Sequence, residues 1–199
     1  MMITWDASGV AQGIDEVWEA ANEVQFRKVL AEWIGPPKEG KLDLLDVGCG
    51  SARMAPLLSA YVYYGVDWSE EMLCIARTRV TRQGALARYD ITKGLPYPAA
   101  CFDTVLCNQV LRHMPYVDVL KVLPELVRLS GDRIFIVDGF HDGLEHHYSE
   151  TKYVGQAFPD NSWSMSLFLE DIAKLCSGSW QVEVKQLLEW VCGVGLERK

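Results

Sequence analysis

LLDVGCGSARM (residues 44–54) is the stretch on which the fold turns. Leu42 to Val47 is short and apolar and runs straight into glycine, the pattern of a buried strand that ends in a tight turn. Gly48 and Gly50 let the backbone turn sharply and let a ligand come close. Residues 55–60 are predicted to form a helix, with Pro56 in its first turn, where a missing N–H costs little. In open α/β sheets, ligands bind beyond the carboxyl ends of the strands. A lone Gly-x-Gly fits a tight strand-to-helix turn equally well.

The next segment shifts that balance. Tyr61 to Val66 reads as a second strand, and Asp67 follows it, 19 positions after Gly48. That is close to the roughly 20 positions between a glycine loop and a ribose-binding acid. A carboxylate there can accept hydrogen bonds from both ribose hydroxyls. The other reading of Asp67 is a residue that leads into the next helix beside Ser69. A dinucleotide site needs a third glycine, Gly-x-Gly-x-x-Gly. Arg53 stands at that place. There is no Gly-x-x-x-x-Gly-Lys-Ser/Thr stretch, which leaves a P-loop nucleotidase unsupported.

Outward from this loop, strands and helices alternate. Residues 14–34 have helical spacing and are stopped by Gly35-Pro36-Pro37. Ser69 caps a helix that runs to about Gln83, with Glu70 and Glu71 at its positive end. Leu86 to Tyr89, Phe102 to Asn108 and Arg133 to Val137 read as further strands. Tyr116 to Leu129 reads as a helix bent at Pro124. Phe140 to Ser164 has little periodicity and reads as a long functional loop. Leu167 to Cys176 is a helix, and Trp180 to Leu188 and Val191 to Leu196 are the last strands. The expected fold class is α/β, a three-layer sandwich. It has a mostly parallel twisted sheet, helices on both faces and an antiparallel C-terminal strand. Residues 1–199 are expected to form one domain. Within it, 1–38 form an N-terminal helical cap, 40–140 a cofactor-binding core and 140–166 a substrate loop.

The 199 residues, 49% of them hydrophobic, suffice for a substantial core and argue against disorder. Lys plus Arg is 19 and Asp plus Glu is 27, a net charge of −8. An acidic balance without Lys/Arg runs disfavours nucleic acid as a partner. The six cysteines form no Cys-x-x-Cys pair and sit mostly in apolar stretches, so neither a disulfide framework nor a zinc site is expected. The start, MMITWDASGV, has no basic flank, so no secretory leader is expected. No apolar run approaches the roughly 20 residues of a membrane span. A cytoplasmic, reducing setting fits these features.

The ordered set of segments resembles the class I S-adenosylmethionine-dependent methyltransferases. LLDVGCGSARM (44–54) resembles their cofactor loop and YYGVDWSEEML (63–73) their ribose-binding segment. RYDITKGLPYPAACFDTVLCNQVLRHMP (88–115) resembles the next two blocks, and IFIVDG (134–139) the fifth strand. The resemblance implies S-adenosyl-L-methionine as cofactor. Asp46, Gly48, Cys49 and Gly50 would then line its methionine end. Asp67 would hold the ribose, with Trp68 beside the adenine. Asp90 and Ile91 would read the adenine, Asp90 accepting from its exocyclic amine. Asn108 and Gln109 would lie near the methionine moiety and sulfonium. Packing alone could also explain Trp68, a surface turn Asp90 and a strand cap Asn108. Ala52 takes the third small position of the loop, and Ser130-Gly131-Asp132 replaces a common Pro-Gly-Gly. After the fifth strand nothing matches closely.

Methyl transfer from a sulfonium is an in-line displacement that mainly needs alignment and exclusion of water. A base is needed only where the acceptor arrives protonated. His113, after the fourth strand, is the first candidate base, although a similar His in the family can simply hold the loop. His141, nearest the end of the fifth strand, is the second; His146 and His147 read as solvated. Asp138, His141, Asp142 and His146 match no metal-ligand spacing, so no metal is expected. Trp5, Trp18, Tyr148, Tyr153, Phe158 and Trp163 could close over an organic substrate, while Trp18 also fits simple packing. The function expected is methyl transfer to a small organic acceptor. A protein or tRNA methyltransferase is one alternative, and a non-catalytic adaptor that keeps the fold is another. The glycines and Asp67 argue against the adaptor.

Overall fold

The computed structural model describes residues 21–80, 83–141, 148–153, 156–161, 163–176, 178–188 and 191–199. Among them are α1 (Ala21–Ile34), β1 (Asp43–Val47), β2 (Val62–Asp67), α2 (Glu70–Ala76), β3 (Gln83–Arg88) and β4 (Phe102–Asn108). There follow α3 (Tyr116–Leu129), β5 (Ser130–Asp138), β6 (Phe140–His141), β7 (Tyr148–Tyr153), β8 (Gln156–Asn161) and β9 (Trp163–Ser164). The chain ends with α4 (Met165–Cys176), β10 (Trp180–Leu188) and β11 (Val191–Arg198).

Seven strands form one sheet in the order β10-β11-β5-β4-β1-β2-β3. β1 pairs in parallel with β2 and β4, and β3 and β5 extend the sheet in parallel at either side. β11 pairs antiparallel with both β5 and β10, the reversal expected at the C-terminus. Because β1 lies between β2 and β4, the chain direction switches beside β1, where the carboxyl ends of the strands leave a crevice.

Side chains alternate across the sheet with the period of two that strands impose. Leu45, Val47, Val105, Cys107, Ile134, Ile136 and Val194 point to one face, beneath α3 and α4. Leu44, Tyr63, Leu106, Phe135 and Val137 point to the other, beneath α1 and α2. The sheet is covered on both faces, as such apolar strands require. α3 passes through Pro124 without a break. Pro124 and Leu120, whose carbonyl loses its donor, are both exposed, so water can serve that carbonyl.

Three elements depart from the sequence expectation. Residues 55–60 were expected to be a helix, but the chain makes only a 3-10 turn, Ala55–Leu58. Too few residues separate the loop from β2 for a stable α-helix. α2 stops at Ala76 rather than near Gln83, and its last carbonyls are taken by the amides of Arg77, Thr78 and Arg79 and by the Thr78 hydroxyl. β-branched Thr78 and Val80 disfavour continuation. Within 140–164, expected to be irregular, β6 pairs in parallel with β9 and β7 forms a hairpin with β8. These strands are polar and carry Pro159, so the sequence lacked the apolar alternation that marks a strand.

α1 is seated by Trp33. Its ring lies across Gly193 and Gly195 of β11 and meets Phe135 edge to face at 5.0 Å. A Cβ on Gly193 would stand 2.2 Å from the Trp33 ring. Arg133 adds a second tie, donating to the Ile34 carbonyl (2.9 Å) and the Tyr61 hydroxyl (2.7 Å). Gly193→Ala is therefore expected to cost roughly 1–3 kcal/mol through overpacking. In a Trp33→Ala background the same change should cost less than about 1 kcal/mol. Urea unfolding of the four proteins of this cycle checks it.

Candidate functional site

The loop after β1 is built from left-handed backbone. Gly48, Gly50 and Ala52 have φ of +73°, +53° and +55°. Gly48 N–H and Cys49 N–H both donate to the Val66 carbonyl, at 2.8 and 3.0 Å, which folds the loop back over β2. A Cβ on Gly48 would stand 2.4 Å from Val110 Cγ2, so glycine is required there by contact as well as by φ. Space is open above Gly50, where a Cβ would meet nothing within 4 Å.

Asp67 ends β2 and joins the expected pieces. Its Oδ2 accepts from Gly50 N–H (2.8 Å) and its Oδ1 from Ser69 N–H (2.8 Å). One carboxylate therefore fixes both the loop and the start of α2, where the Ser69 hydroxyl caps Met72 N–H. The two readings of Asp67 are thus compatible. A carboxylate offers about four acceptor positions, so a group that holds a loop can in principle also receive hydroxyls.

Beyond β3, Asp90 Oδ1 accepts from Thr92 N–H (3.1 Å) and the Thr92 hydroxyl (2.6 Å), capping the 3-10 turn Ile91–Lys93. Asp90 Oδ2 forms an ion pair with Lys93 Nζ at 3.1 Å but lacks an aligned hydrogen bond. Burial raises the Asp90 pKa, and the bonds from Thr92 and Lys93 outweigh it, so the group is held below its ordinary value. Lys93 Nζ also lies 5.9 Å from the centre of the Trp68 ring, and Arg88 Cζ 5.2 Å. Trp68, Asp90 and buried Ile91 thus share one corner of the crevice, and cations already stack on the indole.

Asp46 is buried and accepts a hydrogen bond from the Tyr63 hydroxyl. Burial, with Asp67 nearby, pushes its pKa to about 7 against the pull of Tyr63 and Arg53. Burial pushes the Cys49 thiol far up, so it is a packed thiol rather than a nucleophile.

At the end of β4, Asn108 Oδ1 and Gln109 Nε2 are buried and have no hydrogen-bond partner among the described residues. Gln109 has φ +59° and is pinned by its N–H to the Val137 carbonyl (2.7 Å). His113 closes the half-buried 3-10 turn Leu111–His113 directly after them. His141 ends β6, three residues past Asp138, but its side chain lies outside the described residues. So do the side chains of Tyr148, Tyr153, Phe158 and Trp163. Trp5, Trp18, Asp142, His146 and His147 lie wholly outside.

Sequence reasoning missed Glu23 and Arg112, and weighed Asp138 only as a metal ligand. Glu23 Oε2 is buried without a partner among the described residues. Burial raises its pKa against the attraction of Arg53, Arg27 and Arg112. Asp138, buried at the end of β5, accepts from Arg112 N–H (3.1 Å) and Gly139 N–H (3.0 Å). Burial pushes Asp138 to about 6. The available signal for Asp138 was an acid directly after the apolar run at residues 134–137, at the carboxyl end of β5. Glu23 and Arg112 are ordinary helix and turn residues in sequence.

The chain's residues 45–132 match the family model described as a methyltransferase domain. Over these residues the chain is similar to a methyltransferase domain, and the similarity supports the class I S-adenosylmethionine-dependent methyltransferases. The similarity points to S-adenosyl-L-methionine as the cofactor. The chain is 30% identical over 132 residues to a ubiquinone biosynthesis O-methyltransferase of Thiobacillus denitrificans, covering 63% of this chain and 52% of that protein. It is 35% identical over 97 residues to a demethylmenaquinone methyltransferase of Geobacillus kaustophilus, covering 44% and 41%. The chain thus spans about half the length of the curated relatives it matches. Among solved structures, a DhpI-SAM-HEP complex aligns with TM-score 0.75 at 16% identity, covering 94% of this chain and 92% of that one. Magnesium protoporphyrin IX methyltransferase of Synechocystis PCC 6803 aligns with TM-score 0.65 at 16% identity, covering 98% and 96%. These two share the fold.

The residues present fit this cofactor. The open space above Gly50 takes backbone-close ligand, and the unmet Glu23 and Asn108 oxygens suit its positive groups. A positive group of the cofactor seated beside Asp46 would favour the ionised carboxylate, so binding would release a proton wherever Asp46 was protonated. Affinity for S-adenosyl-L-methionine should therefore rise with pH through the Asp46 pKa of about 7. The expected gain is about tenfold between about pH 6 and about pH 8. Calorimetry across that range checks it: Asp46→Asn should flatten the profile, and a flat wild-type profile would count against the assignment.

Proposed function

We propose that this domain transfers a methyl group from S-adenosyl-L-methionine to a small organic acceptor. The observation that carries the reading is the Asp67 carboxylate. It ties the glycine loop to the end of β2 at the switch point of the sheet, 19 positions after Gly48, where a ribose-binding acid stands in nucleoside-binding α/β folds. The matching relatives act, by name, on precursors of ubiquinone and menaquinone, which supports a small acceptor. The net charge of −8 argues against a nucleic-acid substrate.

In this reading Asp46, Gly48, Cys49 and Gly50 line the methionine end. Asp67 holds the ribose, Trp68, Asp90 and Ile91 surround the adenine, and Asn108 lies by the sulfur. To these we add Glu23 and Arg53. A free amino-acid terminus carries an ammonium and a carboxylate, and it needs an anion and a cation to meet them. Glu23, beside Arg53, supplies that pair from α1 and the loop. When bound, the cofactor supplies a methyl group already activated by a positive sulfur. The protein aligns the acceptor and excludes water. Where the acceptor arrives protonated, His113 and His141 are the two candidate bases.

Titration calorimetry with S-adenosylhomocysteine tests the reading. Wild-type protein should bind it, and no binding at high micromolar concentration would refute the assignment. Asp67→Ala should weaken binding by about tenfold or more, roughly 1.4 kcal/mol. Methylthioadenosine, which lacks the amino-acid terminus, separates the two ends of the site. Glu23→Gln should weaken S-adenosylhomocysteine binding at least about fivefold and leave methylthioadenosine within about twofold. Equal losses for both ligands would remove Glu23 from the amino-acid end.

A further inference from the structure

The carboxyl edge of the sheet has a polar order. Asp90 follows β3, Asp67 ends β2, the glycine loop follows β1, Asn108 and Gln109 follow β4, and Asp138 ends β5. The nucleoside-binding acids lie on the β2–β3 side of the loop. Val110 packs directly on Gly48, so Gln109 stands against the loop on its other side.

Gln109 is held in one orientation. Its side-chain oxygen accepts from Arg112 Nη1 at 2.9 Å. A guanidinium only donates, so the oxygen must face Arg112 and the NH2 must face away. Arg112 is itself fixed: its N–H donates to Asp138 Oδ2 at 3.1 Å, and its Nε lies 4.0 Å from Asp138 Oδ1. The backbone of Gln109 is held left-handed, a conformation that costs a non-glycine residue energy and persists only where the surroundings enforce it. The result is a positioned N–H donor, Nε2, buried with no acceptor among the described residues. A buried unmet donor is costly until something accepts from it.

A sulfonium cannot be that partner, because an N–H dipole presents its positive end and the sulfonium is a cation. We propose that Gln109 is an acceptor-recognition residue. Its Nε2 donates to an oxygen of the methyl acceptor next to the atom that receives the methyl group, and Asp138 and Arg112 act as its positioning residues. The acceptor class this selects carries a phenolate, enolate or carboxylate oxygen. The inference rests on the methyltransferase reading above and moves Gln109 from the cofactor set to the acceptor set.

The experiment compares wild type, Gln109→Glu and Gln109→Leu by calorimetry with three known ligands. S-adenosylhomocysteine measures the cofactor site, methylthioadenosine that site without its amino-acid end, and sinefungin adds an ammonium where the transferred methyl would be. Gln109→Glu keeps the Arg112 partner and aims a carboxylate at the transfer point. It should raise the ratio of sinefungin affinity to S-adenosylhomocysteine affinity about tenfold, while both variants bind S-adenosylhomocysteine within about threefold of wild type. An unmoved ratio overturns the proposal. So does a tenfold loss of S-adenosylhomocysteine binding in Gln109→Leu with methylthioadenosine unaffected, which would put Nε2 on the cofactor carboxylate. Failure of wild type to bind S-adenosylhomocysteine refutes the underlying reading instead. In a methyl-transfer assay, turnover of catechol or 4-hydroxybenzoate but not tryptamine supports the oxygen class, and turnover of tryptamine alone overturns it.

Discussion

The hydrogen bond from Gly50 N–H to Asp67 Oδ2 is the constraint on which the site depends. It ties the loop after β1 to the last residue of β2, adding a side-chain bond to the backbone pairing and to the Tyr63–Asp46 bond between the two strands. The same carboxylate receives Ser69 N–H and so starts α2. The Gly50 bond acts with the bonds from Gly48 N–H and Cys49 N–H to the Val66 carbonyl to hold the left-handed turns at Gly48, Gly50 and Ala52. In this protein the loop does not lean on a long helix behind it, because only the 3-10 turn Ala55–Leu58 follows. Side-chain and backbone bonds replace the support that a helix N-terminus would supply.

Charge is arranged along the same edge at a cost. Asp46 and Asp138 are buried carboxylates pushed up in pKa, and Glu23 is raised among arginines. Burying a charge is tolerated only when it is paired and hydrogen-bonded. Tyr63 serves Asp46, and Arg112 with two amides serves Asp138. Glu23 keeps one oxygen unmet. A buried atom in that state marks a place where the folded chain is complementary to something else, and it lies where the arginines also gather.

Much of the sheet was legible because its chemistry is local. β4 and α3 fall on the expected residues, since an apolar run or a 3.6 period needs no distant partner. The spacing from Gly48 to Asp67 was legible for the same reason. Lengths were less so: α2 ends early because competing carbonyl bonds and β-branched residues act within one turn. Glu23, Arg112 and Gln109 became meaningful only through contacts between segments far apart in sequence. Gln109 even carried a different expectation, because a sequence places an amide near a sulfur without saying which of its two ends faces there.

The support of the site reaches the far end of the chain. β11 runs antiparallel to β5, and its two glycines leave room for the Trp33 ring. Trp33 seats the last turn of α1, and Arg133 of β5 holds the Ile34 carbonyl. Ten residues earlier on the same helix stands Glu23. A helix is stiff over that distance, about 15 Å at 1.5 Å per residue. The position of a carboxylate at the glycine loop is therefore set partly by a pair of glycines in the last strand. Through this reversed strand the C-terminal residues bear on the candidate site.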